Sequence, residues 1–115
     1  MPATAATRKI VDETLLRTLP PRAIFVNPGR GGVVDEAALA AAIQEGRLAG
    51  AVLDVFESEP LPADHIFWRL PNVRITAHTA AQSAPADIAP IFVDNYRRLL
   101  RGEPLRYRVD FERGY

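Results

Sequence analysis

Charged side chains follow three short apolar runs in this sequence. Arg30 comes after the first run and His78 after the third. Asp54 ends the second run, and Glu59 lies in the loop that follows. Ligands bind at the carboxyl ends of the strands of open parallel sheets, so these side chains are expected to converge on one crevice. An arginine can hold a carboxylate with two hydrogen bonds, and a histidine beside a carboxylate can donate a proton near neutral pH.

Other interpretations of these residues stay open at this point. An arginine in a glycine-rich turn is often a solvated surface group, a glutamate after a strand is often only a loop residue, and a lone histidine is often structural. A nucleotide-binding turn is a further alternative, because residues 29–34 imitate G-x-G-x-x-G between a strand and a helix and Asp54 ends the next strand. Val34 in place of the third glycine, and Arg30 within the turn, count against that alternative.

Three short strands are predicted to position these residues. They cover residues 23–27, 49–55 and 73–76, and the first of them is an apolar run without polar alternation. This pattern is typical of strands that are buried on both faces of a parallel sheet.

Three helices are predicted around the strands. Asp12 can cap a short helix that Pro20 ends, Asp35 opens a longer one that ends near Gly46, and Pro85 begins a last one. The last helix is expected to run to about residue 101. Its apolar side consists of Ile88, Ile91, Phe92, Tyr96, Leu99 and Leu100. The alternation of helices and strands predicts an α/β fold with crossover connections and a parallel sheet.

The composition excludes several classes of protein. The chain has 115 residues, of which 48% are hydrophobic and 24% charged, a formal net charge of zero and no cysteine. It is too apolar for a disordered chain and has no basic excess for nucleic acid. No apolar run approaches the roughly 20 residues that span a bilayer, and no signal peptide is visible. We therefore expect a cytoplasmic protein with no membrane or nucleic-acid partner and no metal site.

Several segments together resemble the D-isomer-specific 2-hydroxyacid dehydrogenases. Residues 27–36 resemble N-x-x-R-G-x-x-V-D, residues 50–62 resemble G-A-x-L-D-V-F-x-x-E-P-L-P, and residues 68–78 resemble W-x-x-P-N-V-x-I-T-P-H. Residues 2–7 resemble the L-P-x-T-x-x-T loop that precedes them. Residues 109–115 are similar to the V-D-x-x-R-G-Y terminus of the glyoxylate/hydroxypyruvate reductase A branch. The segments occur in the family's order and cover nearly the whole chain.

The resemblance implies an oxidoreductase that transfers hydride between NAD(P)H and a small 2-oxo or 2-hydroxy acid, such as glyoxylate or hydroxypyruvate. By position, Arg30 would bind the substrate carboxylate and carbonyl. His78 would protonate the carbonyl oxygen, while Glu59 would orient His78 and favour its protonated form. These three residues are the catalytic set that the resemblance predicts.

The resemblance also implies a cofactor site. The positions that match are Thr7, Pro28, Gly29, Arg30 and Asp54, with Asp54 near the nicotinamide ribose. The cofactor would be NAD or NADP, and the similarity to the reductase A branch favours NADP. The whole enzyme would be a homodimer.

The resemblance finally predicts how the chain is organised. Residues 1–80 would be part of a Rossmann-like NAD(P)-binding domain, and residues 81–115 a helix and tail that pack toward a substrate domain. The family's G-x-G-x-x-G turn is not in the sequence, so we expect a C-terminal fragment that is inactive alone. The alternative is a non-catalytic truncated module that pairs with itself or with a full-length relative, because a half-sheet exposes an unpaired edge.

Overall fold

The computed structural model describes residues 2–115 and has the predicted α/β architecture. The elements in chain order are α1 (Glu13–Thr18), β1 (Ile24–Asn27), α2 (Glu36–Gln44), β2 (Gly50–Leu53), β3 (Val73–Ile75) and α3 (Pro85–Leu100). Short 3-10 turns lie at Gly31–Val33 and Ile66–Arg69. The chain divides into two compact units, one ending at Ala80 and the other covering Ala81–Tyr115.

The first unit contains a parallel sheet in the order β1-β2-β3. Ile24 aligns with Gly50, and Leu53 aligns with both Asn27 and Ile75. All three strands therefore run in one direction, and their carboxyl ends meet at one edge. The loops that carry the candidate functional residues leave from this edge.

One face of the sheet is covered by helices, and the core of the unit lies there. Leu16 of α1 and Leu39 of α2 are almost inaccessible, as are Leu48, Leu53 and Phe67. Side-chain caps define where the helices begin, because an aspartate accepts the free amide hydrogens of each first turn. Asp12 caps α1 and Asp35 caps α2, as predicted from the sequence.

The other face of the sheet is not covered by residues 2–80 of the first unit. Ile24 is 64% exposed, Val26 57% and Val52 36%, and Arg74 lies next to Val52 in register. The prediction that the strands are buried on both faces is therefore wrong for this unit. A run of apolar residues shows that a strand suits a buried position, but it does not show that both covering layers are present.

The second unit consists of α3 and the tail that follows it. Asn95 binds the tail, since its amide nitrogen donates to the Arg106 carbonyl at 3.1 Å and its oxygen accepts the Arg106 amide hydrogen at 2.8 Å. Phe92 and Tyr96 stack along the predicted apolar side, and all six residues of that side are exposed. Among residues 2–115, no helix is both long and apolar enough to span a lipid bilayer.

Candidate active site

The turn after β1 presents Arg30 and is held by Asn27. The Asn27 side chain is buried, and its Nδ2 donates to the Arg30 carbonyl at 3.1 Å. Its Oδ1 accepts the amide hydrogen of Gly29 at 3.1 Å. The Arg30 guanidinium is exposed and donates to the Gly29 carbonyl at 2.8 Å. The turn is thus fixed by one buried amide, while the guanidinium is available to an anion.

His78 and Glu59 form a hydrogen-bonded pair at the carboxyl edge of the sheet, which we call the cavity pair. Nδ1 of His78 lies 2.8 Å from Oε2 of Glu59. The other Glu59 oxygen accepts the amide hydrogen of Phe56 at 2.9 Å. The side chains remain accessible, His78 being 53% and Glu59 37% exposed. The carboxylate holds Nδ1, and no residue in the range 2–115 forms a hydrogen bond with Nε2, which is left for a ligand.

The environment of Glu59 favours its ionised form. The hydrogen bond with His78, and next the one from the Phe56 amide, hold the pKa of the Glu59 carboxyl below its usual value. An ionised carboxylate that accepts a hydrogen bond from Nδ1 fixes the orientation of the imidazole ring. The cavity pair therefore has the arrangement of a general acid with its orienting group.

Asp54 holds the turn that carries His78. Its carboxylate accepts hydrogen bonds from the Thr76 hydroxyl and from the amides of Thr79 at 3.0 Å and Ala80 at 2.9 Å. Its own carbonyl accepts the amide hydrogen of His78 at 2.8 Å. These bonds, above all the one from Thr76, lower the pKa of the buried Asp54 carboxyl. They also stabilise the left-handed backbone of His78, whose φ is +54°.

Gly31 brings the Arg30 turn against the loop of the cavity pair. A Cβ at position 31 would overlap the carbonyl group of Phe56 and the nitrogen of Glu57, so only glycine allows this approach. The glycine is therefore needed for contact between two loops of the chain. This finding disfavours the alternative of a minimal nucleotide turn at residues 29–34. The Asp54 carboxylate, which that alternative needs for a ribose, is already bonded to residues 76–80.

Two cavities lie beside the cavity pair. The smaller, of about 260 Å³, is lined by Arg30, Glu59 and His78 together with backbone of the Gly31 turn. The structure thus brings the three predicted catalytic residues together. The larger, of about 510 Å³, has a mostly apolar lining that includes Trp68. Both cavities share Phe56, Glu59 and His78, so the pair stands between them.

The residues predicted to bind a cofactor lie at the same edge but have different surroundings. Asp54 lines the larger cavity, whereas Thr7, Pro28 and Gly29 line neither of the two. The Thr7 hydroxyl accepts the Thr4 amide hydrogen at 2.8 Å and closes the N-terminal loop. That loop is joined to the Arg30 turn, since the Lys9 amide donates to the Gly32 carbonyl at 2.9 Å.

Asn27 is a positioning residue that the sequence interpretation did not single out. The signal for it was an asparagine directly before Pro-Gly, which is typical of a side chain that closes a turn. Within residues 2–115 there is no group of three or more His, Asp or Glu side chains placed to hold a metal ion.

Comparison with known proteins decides the family. A model of the D-isomer specific 2-hydroxyacid dehydrogenases, NAD binding domain, matches residues 1–80. The chain belongs to this family. The resemblance predicted from the sequence segments is therefore confirmed.

Relatives of known sequence and structure cover the whole chain. Glyoxylate/hydroxypyruvate reductase A of Klebsiella pneumoniae is 43% identical over 115 residues, which are 100% of this chain and 37% of that protein. The dehydrogenase of this family from Xanthobacter autotrophicus Py2, solved with NADPH and MES, has a TM-score of 0.95 at 47% identity, over 100% of this chain and 48% of its own. The NADPH-dependent glyoxylate/hydroxypyruvate reductase of Sinorhizobium meliloti, solved with NADP and sulfate, has a TM-score of 0.92 at 38% identity, over 100% of this chain and 38% of its own.

These comparisons also bear on the fold class. The structural neighbours are Rossmann-like dehydrogenases of the same family, and they contain the three-stranded parallel sheet and long final helix of this chain. The predicted class of a partial Rossmann-like sheet is confirmed. The chain spans about 37% of the length of the curated relatives that it matches.

Proposed function

We propose that this chain supplies the acid–base group and the substrate anchor of an NAD(P)-dependent 2-hydroxyacid dehydrogenase. The observation that carries the proposal is the cavity pair: Glu59 holds Nδ1 of His78 at 2.8 Å in a cavity that Arg30 also lines. The substrate would be a small 2-oxo acid. Glyoxylate and hydroxypyruvate are favoured, because a curated relative covering all 115 residues is named for the reduction of these acids.

In the proposed reaction each residue has a separate task. Arg30 holds the carboxylate of the 2-oxo acid through two parallel hydrogen bonds. Protonated His78 donates its Nε2 proton to the carbonyl oxygen, which becomes the hydroxyl of the product. Glu59 keeps the ring oriented through Nδ1 and stabilises its charge until the transfer. In the oxidising direction His78 takes the proton back.

The chain also fits the nicotinamide end of a dinucleotide, which supplies the hydride when it is bound. The support for this fit is that three loops meet at one edge of the sheet, where ligands of open parallel sheets bind. We propose that Thr7, Pro28, Gly29 and Arg30 line the cofactor. Asp54 would contribute near the nicotinamide ribose by holding the turn of residues 76–80. NADP is favoured over NAD because two of the similar structures contain NADPH or NADP.

The test uses a dehydrogenase that contains this sequence. We expect His78→Ala to lower kcat for hydroxypyruvate reduction by about 10² to 10⁴-fold, because the proton donor is lost. We expect Arg30→Ala to lower kcat and also to raise KM for the 2-oxo acid, because the substrate carboxylate loses the side chain that binds it. NADPH affinity of both variants is measured by fluorescence titration. If NADPH affinity in His78→Ala falls in step with kcat, the role of His78 as proton donor is refuted.

A second candidate function is association through the open sheet. It is favoured by the exposed apolar face of Ile24, Val26 and Val52 and by the unpaired edge of β1 in the described residues. The 115-residue chain would then pair with itself or with a longer relative. Light scattering after size-exclusion chromatography tests this, and a monomer with one cooperative melting transition would count against it.

A further inference from the structure

We infer that Glu36 is a positioning residue for Glu59, acting through the backbone of the loop that carries Glu59. The inference rests on the proposed function, since it assigns to Glu36 the task of keeping Glu59 in position beside His78. Glu36 is the first residue of α2 and lies outside both cavities beside the pair.

The direct contact is a hydrogen bond between distant parts of the chain. Oε1 of Glu36 accepts the amide hydrogen of Glu57 at 2.8 Å, and the Glu36 side chain is only 15% exposed. The preceding amide, that of Phe56, donates to Glu59. Two adjacent amides of one loop are thus held by two carboxylates, one from α2 and one from the cavity pair. If Glu57 is released, Phe56 can rotate and Glu59 loses its second hydrogen bond.

The Glu36 carboxylate is itself held by a second histidine, and we call His65 and Glu36 the helix pair. Nε2 of His65 lies 3.4 Å from Oε2 of Glu36. Nδ1 of His65 accepts the amide hydrogen of Phe67 at 3.4 Å, which caps the 3-10 turn. Since Nδ1 is an acceptor, the neutral ring carries its hydrogen on Nε2, directed at Glu36. Glu36 therefore has one oxygen for the loop and one for His65.

Two basic side chains, Arg8 and Lys9, also contact the loop that carries Glu59. Arg8 lies 3.3 Å and Lys9 4.0 Å from the Glu57 carboxylate, and Lys9 also lies 3.6 Å from Asp35. The Arg8 and Lys9 side chains are 70% and 42% exposed, and pairs of this kind contribute little. They hold the Glu57 side chain, whereas Glu36 holds its backbone. Among these contacts, that of Glu36 is the one made with the backbone next to the Phe56 amide, which binds Glu59.

The chain offers a matched control for Glu36. Glu13 is the first residue of α1, also follows an aspartate cap, and within residues 2–115 it pairs with Arg17 on its own helix and with no other residue. An acid at this position stabilises either helix through the helix dipole. Glu13→Ala thus removes the same dipole contribution without touching the loop.

The experiment follows the Glu59 carboxyl by ¹³C NMR during an acid titration of the 115-residue chain. Because Glu36→Ala frees the loop, we expect the Glu59 midpoint to rise toward its ordinary value by about half a pH unit. Glu36→Gln keeps an acceptor for the Glu57 amide and should restore most of the shift. Glu13→Ala should leave the midpoint unchanged.

A second variant covers the case in which Glu36→Ala loses its folded amide spectrum. Asn at position 65 can still accept the Phe67 amide hydrogen but does not reach Glu36, so His65→Asn should raise the Glu59 midpoint by a smaller amount. The inference is overturned if folded Glu36→Ala or His65→Asn keeps the wild-type midpoint. This titration uses neither cofactor nor substrate, so its result is separate from that of His78→Ala, which tests the proposed function.

Discussion

The two histidines of this chain form two pairs with glutamates, and the pairs differ in every respect that affects chemistry. In the cavity pair Glu59 holds Nδ1 of a ring that is 53% exposed. In the helix pair Glu36 faces Nε2 of a ring that is 22% exposed and whose Nδ1 is occupied by a backbone amide. The first ring has a free nitrogen at a cavity, and the second has none. Under the proposed function, the same two residue types would therefore serve proton transfer in one place and rigidity in the other.

The backbone differs between the two pairs as well. His65 lies in extended conformation, with φ of −60° and ψ of 140°, at the start of a 3-10 turn. His78 has φ of +54°, which costs about 1–3 kcal/mol for a residue with a side chain. Strain of this kind persists where surrounding bonds enforce it, and Asp54 supplies those bonds. The strained backbone therefore belongs to His78, the histidine whose ring has a nitrogen available at a cavity.

The largest expected effect comes from Gly31→Ala. This substitution separates the Arg30 turn from the loop at Phe56 and Glu57, which contacts both pairs. The added Cβ overlaps the Phe56 carbonyl, so the Arg30 turn must move away from the loop of Glu59. We expect the free energy of unfolding to fall by about 3 kcal/mol in a denaturant titration. Gly32→Ala is the matched control, because a Cβ there meets no atom within 4 Å, and it should change stability by less than about 0.5 kcal/mol. Equal effects of the two substitutions would contradict the close approach.

The next largest effect is expected for Asp54→Asn, which disturbs the turn that carries His78 of the cavity pair and leaves the helix pair intact. The amide group replaces one acceptor oxygen with a donor that faces an amide hydrogen of Thr79 or Ala80. We expect a melting temperature lowered by several degrees and faster hydrogen exchange at Thr79 and Ala80. Exchange at Phe67, whose amide donates to His65 of the helix pair, should be unchanged. Faster exchange at Phe67 as well would show that the two pairs do not respond separately.

A smaller effect is expected from Glu59→Gln in acid. The pKa of Glu59 is lowered in the folded chain, so its ionised form stabilises the fold above the ordinary carboxyl pKa. That stabilisation is lost as the pH falls through the lowered value. The difference in unfolding free energy between wild type and Glu59→Gln should therefore shrink as the pH falls from about 5 to about 3. A difference that stays constant down to pH 2 would contradict the ionised pair.

The local features of the fold and the proximity of the main candidate residues could be predicted from the sequence. Asp12 and Asp35 mark the starts of two helices, because capping depends on residues only a few positions apart. Arg30, Glu59 and His78 could be placed together, because parallel strands end at one edge of a sheet. The family motifs added the roles proposed for them.

Contacts between distant residues could not be predicted in the same way. Asp54 was assigned to the cofactor, yet its carboxylate binds residues 22 to 26 positions away in the chain. Glu36 indicated only a helix start, and its bond to Glu57 depends on how α2 packs beside the loop. The open face of β1 was also missed, since the apolar character of a strand does not report how many layers cover it.

The tautomers of the two histidines test the central claim most directly. The chain contains only two, so ¹H–¹⁵N long-range spectra in alkaline buffer, where imidazole rings are neutral, give one pattern for each ring. His65→Asn leaves a single histidine and assigns the spectrum. The account predicts hydrogen on Nδ1 of His78, bound to Glu59, and on Nε2 of His65, directed at Glu36. Hydrogen on Nε2 of His78 would mean that Glu59 does not hold Nδ1, and it would contradict the proposed proton donor.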